Sequence, residues 1–116
     1  MAGTPEKKVK DKVKTLLKKH EVYMFTPVTS GFGTSGVPDI VACIKGKFIG
    51  IEVKAGSNKP TALQEKNLAD IAKVGGFAVV VNENGLADLD RLLDALVNNE
   101  VILAGAVFDL LINKEK

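Results

Sequence analysis

"GVPDIVACIKGKFIGIEVKAG", residues 36–56, decides how this chain is read. The run is apolar enough for two buried strands, and Lys45-Gly46 divides it with the chemistry of a tight turn. Strands are expected over about 38–44 and 47–55, paired as a hairpin because they are adjacent in sequence. Alternation with a period of two then sets Ile49, Ile51 and Val53 on one face of the second strand, and Glu52 with Lys54 on the other. Together with Asp39 at the start of the first strand, these are three charges inside an otherwise apolar unit. Such charges are costly unless they are paired or hold a cation.

Working outward towards the N-terminus, Thr4-Pro5-Glu6 opens a helix of about residues 5–20: Thr4 can cap it and Pro5 suits its first position. Val9, Val13, Leu16 and Leu17 form one apolar stripe. At about 100° per residue Glu6 falls within that stripe, so its carboxylate is expected to point inward, unless it serves only to offset the helix dipole. "VYMFTPV", 22–28, reads as a strand ended by Pro27, followed by the glycine-rich loop "SGFGTSG", 30–36.

On the C-terminal side, Thr61-x-x-Gln64 is a capping-box pattern that opens a helix running to about residue 74, where Gly75-Gly76 stops it. Gln64 shares a stripe with Leu68, Ile71 and Ala72, the side expected to face the sheet. "FAVVV", 77–81, is a short strand of the buried kind, and Leu86, Leu89, Leu93, Leu96 and Val97 mark an amphipathic helix over about 86–98. The apolar tail from residue 100 has no clean period, and reads either as a strand with a short helix or as helix throughout. The order helix, strand, strand, strand, helix, strand, helix predicts an α/β fold: a mixed sheet flanked by helices.

The chain has 116 residues, 46% of them hydrophobic and 26% charged, which suits a single domain over 1–116. No apolar run approaches the ~18 residues of a membrane span, and the lysine-rich start lacks the apolar segment of a signal peptide, so a cytoplasmic location is expected. With Cys43 and His20 each alone of their kind, the chain cannot assemble a cysteine/histidine zinc site. Any metal must take oxygen ligands, which favours magnesium or manganese. Net charge is only +2, but residues 1–20 carry +5 and residues 83–100 carry −4. The basic end suits a polyanion, or is simply a solvated helix face.

Asp39 and Glu52 can meet at the edge of the hairpin and hold a hard divalent cation, with the Val53 carbonyl and waters completing an oxygen shell. A cation so placed polarises a phosphoryl oxygen and acidifies water for attack on phosphorus. Lys54 can orient that water or offset charge building on the phosphate. Glu6 and Gln64 aim at the same region from two helix starts. The competing reading makes Asp39, Glu52 and Lys54 a structural ion-pair network, although buried ion pairs seldom stabilise enough to explain themselves. Cys43 reads as a small buried strand residue, and His20 as a partner for a helix C-terminus. Gly31, Gly33 and Gly36 do not form a P-loop, since no Gly-Lys-Ser/Thr follows them.

The ordered set "GVPDIVACIKGKFIGIEVKAGSNKPTALQEKNLADIAKVGG", behind a helix with an early glutamate, resembles the virus-type replication-repair nuclease (VRR-NUC) domain of the PD-(D/E)xK nuclease superfamily. The resemblance covers about residues 4–97. It implies a restriction-endonuclease-like mixed sheet with helices on both faces, and magnesium- or manganese-dependent cleavage of DNA. It further implies that Asp39 is the motif aspartate, that Glu52 and Lys54 are the (D/E)xK pair, and that the Val53 carbonyl is a backbone metal ligand. Gln64 matches the glutamine opening the next helix, and Glu6 the first-helix glutamate, so the implied metal set is Glu6, Asp39, Glu52 and Val53.

The chain is similar to the compact stand-alone members of phages and bacteria, which resemble Holliday-junction resolvases. That likeness implies an endonuclease acting on branched DNA as a homodimer, since two symmetric cuts need two sites. The location implied is a bacterial cell or phage-infected host. The tail over 100–116 is expected either to form a dimer contact or to complete the monomer's own core. Lys7, Lys8 and Lys59, with Ser35 of the glycine-rich loop, are candidates for phosphate contacts. Two rival functions are a non-catalytic nucleic-acid-binding module and a sequence-specific restriction-type enzyme on the same fold.

Overall fold

The computed structural model describes residues 3–28 and 36–114. Its elements follow the order α1 (Pro5–Lys19), β1 (Tyr23–Phe25), β2 (Ile40–Ile44), β3 (Lys47–Val53), α2 (Ala62–Lys73), β4 (Phe77–Val81), α3 (Leu86–Val97) and α4 (Val101–Lys114). The four strands form one sheet in sequence order, with β1, β2 and β3 antiparallel and β3 and β4 parallel. Parallel neighbours need a crossover, and α2 supplies it. This is the mixed α/β sheet flanked by helices that the apolar periodicities predict.

The β2–β3 hairpin turns on Lys45 (φ 51°) and Gly46 (φ 80°), the two positive-φ positions that a two-residue turn matching strand twist requires. The turn pairs Ile44 with Lys47 and fixes every later pair, including Ile40 with Ile51. On one face of the sheet Ile40, Ala42, Ile44, Ile49, Ile51, Val53, Val79 and Val81 are buried. Val9, Val13 and Leu17 of α1 and Leu89, Leu92, Leu93, Ala95 and Leu96 of α3 join them in one core. At roughly 25 cal/mol per Å² of apolar surface removed from water, this shared face is the main source of stability.

The tail is helical over Val101–Lys114. Ala104, Val107 and Leu111 of α4 enter the same core, and Phe108 meets Phe77 edge to face at 5.2 Å. The apolar stripe of α4 is therefore used by the chain's own core.

Among the described helices only α2 covers the opposite sheet face, and only in part. Gly50 lies beneath it: a Cβ there would stand 2.6 Å from Ile71 Cδ1 and 2.9 Å from Pro38 Cγ, so only glycine admits both neighbours. Ala72 is exposed rather than turned to the sheet; Gln64, Leu68 and Ile71 are half-buried. Beyond the reach of α2 no described residue covers the face, and Tyr23 is 72%, Phe25 49% and Phe48 44% exposed. Cys43 belongs to this region. It is exposed, not the buried strand residue expected, because its register partners are Tyr23 and Phe48. Strand β1 is shorter than the 22–28 expected, with three paired residues before Pro27, which has no N–H to donate. His20 caps α1, and its Nε2 lies 2.6 Å from Asp90 Oδ1 on α3, tying the two helices together.

Candidate active site

One step past the last register pair of the hairpin, Ile40 with Ile51, Asp39 stands across from Glu52. Asp39 prolongs the ladder with its side chain: its Oδ2 accepts the Val53 N–H at 2.8 Å. On the other edge the Lys54 N–H donates to the Val81 carbonyl at 3.0 Å. The backbone through residues 52–54 is thus fastened on both sides, and its side chains are aimed by strand geometry rather than by a loose loop.

Glu52 is 1% exposed, one of two buried charged residues among those described. Its Oε2 lies 3.5 Å from Lys54 Nζ, and the Lys54 side chain is itself only 13% exposed. That separation is long for a charge-assisted hydrogen bond, so the lysine neutralises the site incompletely. Glu52 Oε1 is buried with no hydrogen-bond partner among the described residues. Two carboxylates share a hydrogen bond only through an added proton, so the ionised pair leaves an oxygen unsatisfied in a dry place. Burial, then the like charge of Asp39 and the hydrogen bond that a protonated Glu52 makes with it, push the Glu52 carboxyl from 4.5 up to about 8, with Lys54 opposing.

An orphaned carboxylate oxygen beside a second carboxylate fits a hard cation, which would satisfy Oε1 and offset the charge of both acids. Glu52 and Asp39 are the side chains that would hold it. Among the described residues no three His, Cys, Asp or Glu side chains gather as a metal-binding group. Glu6 is half-buried and lines a neighbouring recess of about 540 Å³ with Thr4, Pro5, Ala55, Gly56, Ser57, Asn58 and Glu83. The structure thus brings Asp39, Glu52, Val53 and Lys54 together, whereas Glu6 lines a recess with the chain that leaves β3 and does not join Asp39 and Glu52 in a metal-binding group.

Gln64 completes the capping box of α2: its Oε1 accepts the Thr61 N–H at 2.9 Å while its own N–H donates to Thr61 Oγ1 at 3.2 Å. Its carbonyl oxygen is committed to the helix start. Among the candidate phosphate contacts, Lys7 forms an exposed ion pair with Asp11 at 3.0 Å, and Lys8 and Lys59 are exposed. Ser35 lies outside the described residues.

The alternation pattern did not point to the residues that support the site. Gly50 lets Pro38 approach the sheet immediately before Asp39. Gly36 (φ 78°) faces Leu63 at the start of α2, where a Cβ would come within 2.9 Å of its backbone. An isolated glycine within a strand is the signal that would have found the first. Comparison with protein-family models and with curated proteins finds no match.

Proposed function

We propose that the protein is a magnesium- or manganese-dependent endonuclease that hydrolyses phosphodiester bonds in DNA, with branched DNA such as a Holliday junction as its substrate. The observation that carries the reading is the Glu52 carboxylate, buried, facing Asp39 and left with an unsatisfied oxygen. A structural ion pair would hold the Glu52 carboxyl down; here it is driven up to about 8. That speaks for a site awaiting a cation and against a network serving stability alone.

A divalent cation between the two carboxylates would supply Lewis-acid polarisation of a phosphoryl oxygen and lower the pKa of water. The chain's own residues do the rest. Asp39 and Glu52, fixed by strand register, set where the cation sits. The Lys54 ammonium, two residues beyond Glu52 on the same face of the strand, hydrogen-bonds the attacking water or a non-bridging phosphate oxygen and stabilises the charge that develops there. Lys7, Lys8 and Lys59 hold the phosphate backbone without reading sequence. A homodimer belongs to the reading because two opposed strands need two sites.

The test offers purified protein and magnesium a labelled four-way junction, a flap, a linear duplex and a single strand. Paired, symmetric nicks across the junction support the reading. Trimming from ends refutes the endonuclease, and discrete cuts in linear duplex would move the assignment to a restriction-type enzyme.

A further inference from the structure

Lys54, the residue just past the end of β3, is still held to the sheet through its N–H bond to Val81, and two residues later the chain turns through Gly56 (φ 59°). A left-handed glycine that meets nothing within 4 Å of its missing Cβ has no packing to fix it. Both of its backbone polar groups are nevertheless gripped by consecutive side chains of the turn after β4. Glu83 Oε1 accepts the Gly56 N–H at 2.8 Å. Asn82 Nδ2 donates to the Gly56 carbonyl at 3.3 Å. Asn82 is itself set by an Asx turn, its Oδ1 accepting the Asn84 N–H at 2.9 Å, and by the Gly85 N–H bond to its carbonyl at 3.0 Å.

We propose that Asn82 and Glu83 are positioning residues for Lys54, holding the exit of β3 to the end of β4 so that the ammonium stays beside Glu52. The proposal rests on the nuclease reading above for its catalytic consequence, though not for its geometry. Without the grip the bonds of Val53 to Asp39 and of Lys54 to Val81 become the fraying end of the ladder, so they open more often and the chain leaving Lys54 is free to swing. A lysine on a flexible stem depends on its backbone for aim, and a displacement of about 1 Å at a reacting centre can cost about 10²-fold in rate. Glu83 touches no reacting atom in this account. Its negative charge, in the recess it shares with Glu6, would if anything repel phosphate, so a role through Gly56 explains its presence better than substrate contact does.

The experiment compares wild type, Glu83→Ala and Glu83→Gln by cleavage kinetics, thermal unfolding and amide hydrogen exchange. Glutamine keeps the Oε1 acceptor and removes only the charge. The expected result is that Glu83→Ala lowers kcat by about tenfold or more with KM changed less than threefold, that Glu83→Gln stays within about twofold of wild type, and that the Gly56 and Lys54 amides exchange at least tenfold faster only in the alanine variant. Unchanged kcat in folded Glu83→Ala overturns the proposal, as does a glutamine variant as impaired as alanine. Should Glu83→Ala fail to fold, Asn82→Asp keeps the acceptor for the Asn84 N–H, removes the donor to Gly56 and sets a carboxylate oxygen against the Gly56 carbonyl; the same readings then decide. If wild type cleaves nothing, the nuclease reading falls, and exchange at Lys54 alone decides the grip: acceleration in Glu83→Ala upholds it and an unchanged rate refutes it.

Discussion

Asp39 and Glu52 face one another across the β2–β3 pair, one step beyond Ile40 and Ile51, and Asp39 uses one oxygen to accept the Val53 N–H while Glu52 keeps one oxygen with no partner. The pair is half satisfied: Asp39 is anchored by the backbone, and Glu52 is desolvated by the same packing that aims it.

A cation that satisfies Glu52 Oε1 must stabilise the folded chain, because it binds the native arrangement and not the unfolded one. Magnesium or manganese at about a hundred times its dissociation constant is expected to add about 2.7 kcal/mol, read as a rise in Tm at pH 8. In Glu52→Gln the rise should vanish, while the metal-free variant becomes more stable than wild type by about 1–3 kcal/mol through loss of a buried charge. Equal shifts in both proteins would place the cation elsewhere.

The stability of the metal-free protein should fall as pH rises from 4.5 to about 8. In that window the folded state keeps the Glu52 proton and the unfolded state loses it, so the folded state binds more protons and stability has a negative slope. The total loss is on the order of 5 kcal/mol, and it levels off above the folded pKa. Denaturant midpoints across this range check it, with Glu52→Gln removing the slope. A flat profile in wild type would mean that Glu52 ionises normally despite its burial.

Gly50→Ala is expected to destabilise the protein by about 1–3 kcal/mol, because the new methyl collides with Ile71 Cδ1 and with the Pro38 ring. The isoleucine terminus can yield, but the proline cannot do so without shifting Asp39. Activity should therefore fall further than stability accounts for, and chemical denaturation alongside cleavage rates separates the two. A folded variant with wild-type rates would show that Pro38 does not help to place Asp39.

Much of this was legible because strand alternation is strict. The Lys45-Gly46 turn and the period of two set the register, and the register alone put Asp39 opposite Glu52. Thr61 and Gln64 were readable as a capping box for the same local reason. Interactions between distant segments were not readable in this way. "NENG" signals a turn, but nothing in it says that Asn82 and Glu83 reach Gly56, 26 and 27 residues earlier. Cys43 was misplaced because alternation gives the face of a residue and not how far α2 extends over that face. The tail stayed open because α4 is apolar well beyond one stripe, and only its packing on α3 and β4 selects Ala104, Val107 and Leu111.

We propose that Lys54 and the Asp39–Glu52 pair form a hydrolytic centre, and cleavage of a labelled four-way junction by wild type and by Lys54→Ala decides it. Magnesium-dependent nicking by wild type is expected, with none in EDTA and a loss of about 10²-fold or more in Lys54→Ala with unfolding temperature little changed. Nicking by folded Lys54→Ala at the wild-type rate would contradict it.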